Sequence, residues 1–344
     1  MKALVYHGPG RRAWKDRPVP VLQQSTDALV RITRTTICGT DLHILKGDVP
    51  EVPAGLILGH EGVGVVTVAG RGVTQFKPGD RVLISCITSC GKCASCRRGM
   101  PSHCADGGWQ LGHRIDGTQA EQVRIPHADG SLHLIPPDWD DEEALVMLSD
   151  ILPTGYECGV LNGEVRPGDT VAIIGAGPIG LSALLTAQFY SPATIIMVDP
   201  DANRLEVART FGATHAFAPA HAEAEIMRLT RGRGVDAAIE AVGVPETFEL
   251  CEAIIAPGGR IANAGVHGRS AALDLPKLWA RNITIRTRLV DAVTTPQLLK
   301  TVTAGKLHPQ RLITHRFPLA DIMRAYDVFA NAAHEKALKV VLTA

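Results

Sequence analysis

Three glycines in one short stretch have the spacing of a turn that binds phosphate. Gly175, Gly177 and Gly180 form the pattern G-x-G-x-x-G after an apolar run, and Pro178 and Ile179 stand inside it. In this pattern one glycine permits a tight turn, one lets the backbone approach a pyrophosphate, and one allows close helix packing. The helix that follows directs free N–H groups at the phosphates. The stretch therefore predicts a dinucleotide site; a glycine-rich turn in another kind of parallel sheet is the alternative.

An acidic residue follows at the distance expected for a ribose contact. Asp199 ends the apolar run 194–198, nineteen residues after Gly180. Its carboxylate is placed there to accept hydrogen bonds from ribose hydroxyls, and it would repel a 2′-phosphate. We therefore predict NAD as the cofactor, although Arg204, one helical turn onward, keeps NADP open.

Four cysteines in a polar segment have the spacing C-x2-C-x2-C-x7-C: Cys90, Cys93, Cys96 and Cys104. In a reducing compartment such a cluster favours metal binding over disulfide formation. Four thiolates close a tetrahedral shell around zinc and leave no position for a substrate, so we predict a structural zinc site. An iron–sulfur cluster, which four cysteines also hold, is the alternative.

A second group of metal-binding side chains is scattered along the chain. Cys38 lies in TTICGTDLH, His60 and Glu61 lie in LGHEGVG, and Asp150 lies in MLSDILPTG. Taken singly, each has an ordinary explanation as a buried thiol, a core histidine or an aspartate that caps a helix. Their interpretation depends on the motifs around them.

The composition excludes some classes of partner. Lys and Arg together balance Asp and Glu at 35 each, so there is no electrostatic case for nucleic acid or an anionic membrane. The uncharged stretch 170–198 is long enough to span a bilayer, but its glycines and prolines favour a buried strand–helix–strand unit. The N-terminus lacks the apolar core of a secretion signal. We therefore expect a cytoplasmic protein whose partners are small molecules and copies of itself.

The elements that must position these residues change along the chain. Up to about residue 83, short strands and glycine turns favour a small antiparallel barrel. From about 154 to 289, strands alternate with helices, as in a doubly wound parallel sheet. The last fifty residues hold two amphipathic helices, near 295–305 and 320–332, and a final strand. We expect them to return to the first domain.

Together these motifs resemble the zinc-dependent alcohol dehydrogenases of the medium-chain dehydrogenase/reductase superfamily, and among them the bacterial secondary-alcohol dehydrogenases. The resemblance covers essentially the whole chain and is carried by CGTDLHI at 38–44, GHEGVGVVTVAG at 59–70, FKPGDRV at 76–82, the four-cysteine segment and GAGPIG at 175–180. It implies an α/β protein with a Rossmann cofactor domain and a barrel-like, mostly β, GroES-like catalytic domain. The implied reaction is reversible hydride transfer between a primary or secondary alcohol and NAD, giving an aldehyde or ketone.

The resemblance also assigns roles to the scattered metal ligands. Cys38, His60 and Asp150 would hold a catalytic zinc, one of two zinc ions per subunit. Glu61 would stand beside it as an alternative or outer ligand, and Asp41 would orient His60. The chemistry agrees, because three protein ligands leave zinc one open position where an alcohol oxygen loses its proton near neutral pH.

Further roles follow from the same resemblance. Thr40 and His43 would form a proton relay, since a hydroxyl and an imidazole both accept and donate protons. Thr154 would line the nicotinamide pocket. Trp109 is as consistent with a wall of the substrate pocket as with core packing.

Other residues are expected to be structural. Ile151 and Leu289 are weaker candidates for a wall of the substrate pocket, and core packing is the favoured prediction for both. Lys339, near the final strand, could reach the cofactor phosphates, but a solvated charge at a strand end is the simpler interpretation. The remaining cysteines are expected to be small buried hydrophobes: Cys86, Cys158 and Cys251.

We predict a catalytic zinc-binding domain at 1–153 and 290–344 and an NAD-binding domain at 154–289. The resemblance implies a homo-oligomer, with a tetramer favoured over a dimer. Two other functions stay open: a polyol, sugar or formaldehyde-type dehydrogenase of the same superfamily, and a non-catalytic NAD-binding structural or sensor protein. The joint presence of three metal ligands and two relay residues argues against the second.

Overall fold

The chain leaves its first structural unit at Asp150 and returns to it at Asp291. In the computed structural model, which describes residues 1–344, the first unit is Met1–Asp150 with Asp291–Ala344, and the second is Ile151–Val290. The junctions therefore lie at 150/151 and 290/291, where the sequence placed them at 153/154 and 289/290. As expected, the last fifty residues belong to the first unit.

The strands are short, as the spacing of the turns predicts. There are fifteen: β1 Lys2–Tyr6, β2 Arg12–Asp16, β3 Ala28–Ile37, β4 Gly62–Ala69, β5 Arg81–Ile84, β6 Gln122–Ile125, β7 Leu132–Leu134, β8 Thr170–Ile174, β9 Thr194–Val198, β10 His215–Phe217, β11 Val235–Glu240, β12 Ile255–Asn263, β13 Thr284–Thr287, β14 Ile313–Pro318 and β15 Lys339–Thr343.

Thirteen α-helices connect them: α1 Gly39–Lys46, α2 Ala94–Arg97, α3 Ala128–Ser131, α4 Glu142–Val146, α5 Ile151–Thr154, α6 Pro178–Ala187, α7 Ala202–Thr210, α8 Pro219–Leu229, α9 Pro245–Ile254, α10 Leu275–Leu278, α11 Thr295–Thr303, α12 Ile322–Ala330 and α13 Ala332–Glu335. A π-helical segment, Gly155–Leu161, continues α5. None of the helices combines the length and the apolar character needed to cross a bilayer.

The first unit is built on a seven-stranded sheet. Its order is β14-β15-β3-β4-β5-β7, and β6 also pairs with β3. The sheet is mostly antiparallel, as predicted, but β14 and β15 are parallel, and β1 and β2 form a separate two-stranded sheet. One buried apolar cluster joins β3, β15 and α12 through Ile37, Val340 and Tyr326.

The second unit contains the predicted doubly wound sheet. Six parallel strands lie in the order β10-β9-β8-β11-β12-β13. The chain runs outward from β8 to one edge and then from β11 to the other, so the order reverses between β8 and β11. Ligands of such sheets bind outside the carboxyl ends of the strands at this reversal, which is where the turn 175–180 begins.

Candidate functional site

Strand pairing brings two of the predicted zinc ligands together. β3 and β4 are antiparallel, and Thr35 pairs with Gly62. Cys38 follows the end of β3 and His60 precedes the start of β4, so both lie at the same end of the sheet. Because each residue is only one or two positions from its strand, the pairing of the two strands brings Cys38 and His60 close together.

The third predicted ligand reaches this place from the segment after α4. The Ser149 hydroxyl accepts a hydrogen bond from the Gly62 N–H at 3.1 Å, which holds the adjacent Asp150 beside β4. Oδ2 of Asp150 lies 3.6 Å from Sγ of Cys38 and 3.2 Å from Nε2 of His60. All three side chains are buried, and their ligand atoms lie within 4.8 Å of one another.

These separations suit one tetrahedral ion. Zinc–ligand distances of about 2.0–2.3 Å place neighbouring ligand atoms of a tetrahedron about 3.3–3.8 Å apart. A thiolate, an imidazole and a carboxylate are all ligands that zinc accepts, and three of them leave one corner open. The residues present therefore fit a zinc ion with an open position.

Burial and mutual contact shift the titration of this cluster. Burial raises the pKa of the Cys38 thiol. Burial lowers the pKa of His60, but hydrogen bonds and charge from Asp150 and Cys38 outweigh it and raise that pKa well above 6.5. Shared protons thus form the hydrogen bonds between the three side chains, and a bound divalent ion would displace these protons.

Glu61 lies beside this cluster and is paired with Lys339. Its Oε2 accepts hydrogen bonds from the Lys339 ammonium and the Thr36 hydroxyl, and Lys339 also donates to the carbonyl of Ile37 at 3.3 Å. Both charged side chains are 1% exposed, so the expectation of a solvated Lys339 is wrong: β15 is an interior strand, and this side chain turns inward to Glu61. Burial lowers the pKa of Lys339, but the charges of Glu61 and Cys38 outweigh it and raise that pKa.

Asp41 holds the backbone of Cys38. Its Oδ2 accepts the Cys38 N–H at 2.9 Å and the side-chain amide of Gln119 at 3.0 Å, while Oδ1 is buried with no hydrogen-bond partner. No hydrogen bond joins it to His60. Burial raises the pKa of Asp41, and the charge of His60 opposes that rise through space.

The two predicted relay residues lie on α1. Oγ1 of Thr40 is 3.8 Å from Sγ of Cys38, and Nδ1 of His43 is 2.8 Å from Oδ2 of Asp48. The spacing i, i+3 puts Thr40 and His43 on one face of the helix. The side chain of His43 is partly exposed, so this face leads from the metal ligand towards solvent.

Trp109 lies next to His60, one of the predicted metal ligands. Its ring meets the ring of His60 edge-on at 6.3 Å and stacks on His113 at 4.1 Å. Ile151 is buried as predicted, whereas Leu289 is 45% exposed, so the prediction of core packing for Leu289 is wrong. The three cysteines outside the two predicted metal sites are buried as predicted: Cys86, Cys158 and Cys251.

The four clustered cysteines converge on one point. Their four sulfur atoms lie within 4.8 Å of one another, with Cys93 and Cys104 4.0 Å apart, and all are free thiols. A tetrahedral zinc requires sulfur separations of about 3.8 Å, whereas a cluster of several irons would hold the thiolates further apart. This segment, called the four-cysteine lobe below, therefore fits a single ion, and its four thiolates leave no corner of the tetrahedron open.

Backbone N–H groups and burial shift the pKa values of these thiols in opposite directions. The N–H groups of Ala105 and Cys96 lower the pKa of Cys93 to about 6. Burial and the neighbouring thiols raise the pKa of Cys96 to about 12.

Ser102, inside the lobe, donates its N–H and its hydroxyl to Oδ1 of Asp291, at 3.0 and 2.5 Å. The lobe is thus tied to the point where the chain returns to the first unit.

The glycine turn of the second unit has room for a phosphate. Gly175 has a φ of 106°, and a Cβ on Gly180 would overlap the carbonyl oxygen of Gly175. A Cβ on Gly177 would meet only a guanidinium nitrogen of Arg204, at 3.8 Å, so the space above it is open. Gly177 precedes α6, and no side chain caps this helix. Its first N–H groups remain available to an anion.

Asp199, the predicted ribose contact, also accepts a hydrogen bond from the backbone of this turn. Oδ2 of Asp199 accepts the N–H of Ala176 at 2.8 Å, and Oδ1 accepts the N–H of Asp201 at 2.8 Å. Arg204 places Nη1 4.0 Å from Asp199, so its charge partly neutralises the carboxylate. Thr154 ends α5 and is partly buried.

Sequence reasoning missed the residues that support the ligands. Ser149 and Gln119 contact the ligand segments across 87 and 83 residues of chain, respectively. Neither belongs to a periodic pattern or a motif, so no local signal points to them. For Lys339, the apolar run that follows it was a usable signal of an interior strand.

Comparison with known proteins gives the same assignment across the chain. Residues 24–137 match the family "Alcohol dehydrogenase GroES-like domain", and residues 178–304 match "Zinc-binding dehydrogenase". The chain is 39% identical over 356 residues to an alcohol dehydrogenase of Cupriavidus necator, covering 96% of this chain and 95% of the relative. It is 32% identical over 358 residues to the NADP-dependent isopropanol dehydrogenase of Thermoanaerobacter brockii, with each chain covered completely.

A solved structure supports both the fold and the family. The apo form of zinc dependent alcohol dehydrogenase 2 from Streptococcus pneumonia is 56% identical and superposes with a TM-score of 0.95, covering 100% of this chain and 98% of that one. Its fold is the one described above, a GroES-like unit joined to a Rossmann unit. With both domain families matched in order and the ligand sets present, this chain belongs to the zinc-dependent alcohol dehydrogenases of the medium-chain dehydrogenase/reductase superfamily.

Proposed function

We propose that the protein interconverts primary or secondary alcohols with aldehydes or ketones by hydride transfer to and from NAD, at a zinc ion held by Cys38, His60 and Asp150. The observation that carries this proposal is the convergence of those three ligand atoms within 4.8 Å. When bound, zinc would supply Lewis acidity that favours loss of the alcohol proton, and NAD would accept the hydride.

The side chains around this position balance its charge. One thiolate and one carboxylate offset a divalent ion when His60 is neutral. Lys339 offsets Glu61, so a second acidic group stands beside the ion without adding net charge. A near-neutral site leaves the ion less electrophilic than neutral ligands would, so orientation of substrate and cofactor must contribute to the rate.

Thr40 and His43 are proposed to carry the released proton to solvent. Asp48 holds Nδ1 of His43, which leaves Nε2 free to accept a proton and pass it to water. The Thr40 hydroxyl, on the same face of α1, both accepts and donates. Trp109 is proposed as a wall of the substrate site because its ring lies against His60.

The second unit is proposed to bind NAD through the turn from Gly175 to Gly180. Asp199 would accept the ribose hydroxyls with lone pairs not used by Ala176 and Asp201. Thr154 would contact the nicotinamide, as the family resemblance implies. The four-cysteine lobe is proposed to hold a second, structural zinc.

We further propose a cytoplasmic homo-oligomer, with a tetramer favoured over a dimer. Eight free thiols are consistent with a reducing compartment. The second unit exposes large apolar side chains on one short segment, among them Leu275 and Trp279, the latter 78% exposed. Exposed apolar surface of this kind is typical of subunit interfaces.

A substrate panel tests the proposed function. Zinc-loaded protein is assayed with primary alcohols, secondary alcohols, polyols and aldehydes, each with NAD and with NADP, beside the Asp150→Ala variant. We expect turnover of simple alcohols with NAD and none in the variant. Turnover of polyols or formaldehyde alone would change the substrate class. NADH binding without turnover of any substrate would favour a sensor.

A further inference from the structure

A buried chain of hydrogen bonds connects helix α12 with the backbone of Cys38. The Tyr326 hydroxyl donates to Oε1 of Gln119 at 2.8 Å, and Nε2 of Gln119 donates to Oδ2 of Asp41 at 3.0 Å. The same carboxylate oxygen accepts the N–H of Cys38 at 2.9 Å. Tyr326, Gln119 and Asp41 are all buried. A helix near the C-terminus is thereby linked to a metal-binding residue through three side chains.

The chemistry of the partners leaves one orientation for the Gln119 amide. Nε2 also donates to the carbonyl of Thr36 at 3.1 Å. That carbonyl and the Asp41 carboxylate only accept, so a flipped amide would direct Oε1 at two acceptors. The Tyr326 hydroxyl donates to Oε1 and stabilises the productive orientation.

Asp41 transmits this orientation to the metal-binding turn. It is the third residue of α1, and its carboxylate closes the turn that holds Cys38 in the extended N-cap conformation, with φ −105° and ψ 158°. Oδ1 of Asp41 has no partner. The Gln119 amide is therefore the side-chain donor that fixes this carboxylate, since the other hydrogen bond comes from the turn itself.

We propose that Gln119 and Tyr326 are positioning residues for Cys38 as a metal ligand, acting through Asp41. The inference rests on the proposed function, in which Cys38 holds the catalytic ion. Without the amide, the turn and its sulfur are free to move relative to His60 and Asp150. Loss of such outer partners typically lowers metal affinity about 10- to 100-fold.

Cobalt binding tests the proposal without relying on activity. Apoprotein is titrated with Co²⁺, and the thiolate-to-cobalt absorption of the Cys38 site is isolated by subtracting the spectrum of Cys38→Ser, which retains the four-cysteine lobe. The test variants are Gln119→Leu and Tyr326→Phe. Phe329→Leu is the matched control, because Phe329 lies on α12 in the same apolar cluster as Tyr326.

We expect the dissociation constant of Co²⁺ to rise about 10- to 100-fold in Gln119→Leu and measurably in Tyr326→Phe, with a changed absorption band. The double variant should bind no more weakly than Gln119→Leu alone, because the chain is already broken. Phe329→Leu should lower thermal stability and leave the cobalt affinity unchanged. Circular dichroism confirms that each variant is folded at the assay temperature.

Two results would overturn the inference. One is a wild-type cobalt affinity in folded Gln119→Leu; the other is an equal loss of affinity in Phe329→Leu, which would assign the effect to general packing. Failure of the proposed function looks different, because wild-type protein would then show no absorption that depends on Cys38.

Discussion

The ammonium group of Lys339 forms a buried ion pair with the carboxylate of Glu61, next to the ligands of the candidate metal centre. Oε1 of Glu61 has no hydrogen-bond partner, so Lys339 and the Thr36 hydroxyl alone compensate this carboxylate. Removing one partner of a buried pair leaves an uncompensated charge, which is costly even where the intact pair contributes little.

Replacing Lys339 by Met should therefore lower the free energy of unfolding by about 3–5 kcal/mol. The double variant Lys339→Met/Glu61→Gln should recover much of this loss, because no charge is then left buried. Urea-induced unfolding followed by circular dichroism measures both. A single variant that is as stable as the double variant would contradict the assignment.

The same ion pair should lose its contribution only in strong alkali. The pKa of Lys339 is raised above its ordinary 10.5, so the stability it contributes is fully present below the pKa of the unfolded lysine and is lost as the pH rises through the folded one. The difference in unfolding free energy between wild type and Lys339→Met should stay constant from neutral pH to about 10 and shrink above it. A difference that shrinks already near neutral pH would point to another group.

The strands and helices could be predicted from the sequence because their apolar patterns are local, whereas the ligand set Cys38, His60 and Asp150 is implied by the family resemblance and stays a prediction. Cys38 and His60 flank β3 and β4, strands whose apolar pattern is visible in the sequence. The antiparallel pairing of these strands places the two residues at the same end of the sheet. The groups that support them could not be predicted, since Gln119 meets Tyr326 across 207 residues. Likewise, the parallel pairing of β14 with β15 depends on tertiary packing that no local propensity encodes.

Metal binding at the Cys38 site should release protons. Burial raises the pKa of Cys38, and Asp150 raises the pKa of His60 against the effect of burial, so the apoprotein carries at least one proton on this pair at neutral pH. Binding of Zn²⁺ requires thiolate and neutral imidazole, and so should release at least one proton per ion. A pH indicator in weak buffer measures this.

The matched control for proton release is Cys38→Ser, whose remaining site is the four-cysteine lobe. Subtracting its release isolates the contribution of the Cys38 site. Apparent zinc affinity at that site should also fall as the pH is lowered. Release of no protons in the difference would mean that the apoprotein already holds a thiolate and a neutral imidazole.

The four-cysteine lobe should react selectively with alkylating agents once its metal is removed. Backbone N–H groups of Ala105 and Cys96 lower the pKa of Cys93 to about 6, whereas burial and neighbouring thiols raise the pKa of Cys96 to about 12. Because the thiolate is the nucleophile, iodoacetamide at neutral pH should modify Cys93 first. Peptide mapping of chelator-treated protein measures the order, and zinc-loaded protein is the control. Earlier labelling of Cys96 would refute the assignment.

Cofactor selection should depend on the charge of Asp199. Asp199→Asn keeps an acceptor for the Ala176 N–H but removes the charge that repels a 2′-phosphate. It also removes one of the two carboxylates beside Arg204, whose Nη1 lies 4.0 Å from Asp199 and whose Nε lies 3.9 Å from Asp201. A hydrogen bond to a charged group contributes about 1.5–3 kcal/mol, so the ratio of kcat/KM for NADP over NAD should rise about 10- to 100-fold.

Adding Arg204→Ala to Asp199→Asn separates the two effects. The gain in NADP preference should fall back, since the phosphate loses its cationic partner. Arg209→Ala in the same background is the control, because Arg209 lies on the same helix and pairs with Glu206 at the surface. An unchanged cofactor ratio in Asp199→Asn would remove Asp199 from the ribose site, and an equal effect of both arginine variants would show that net charge, rather than contact, sets the preference.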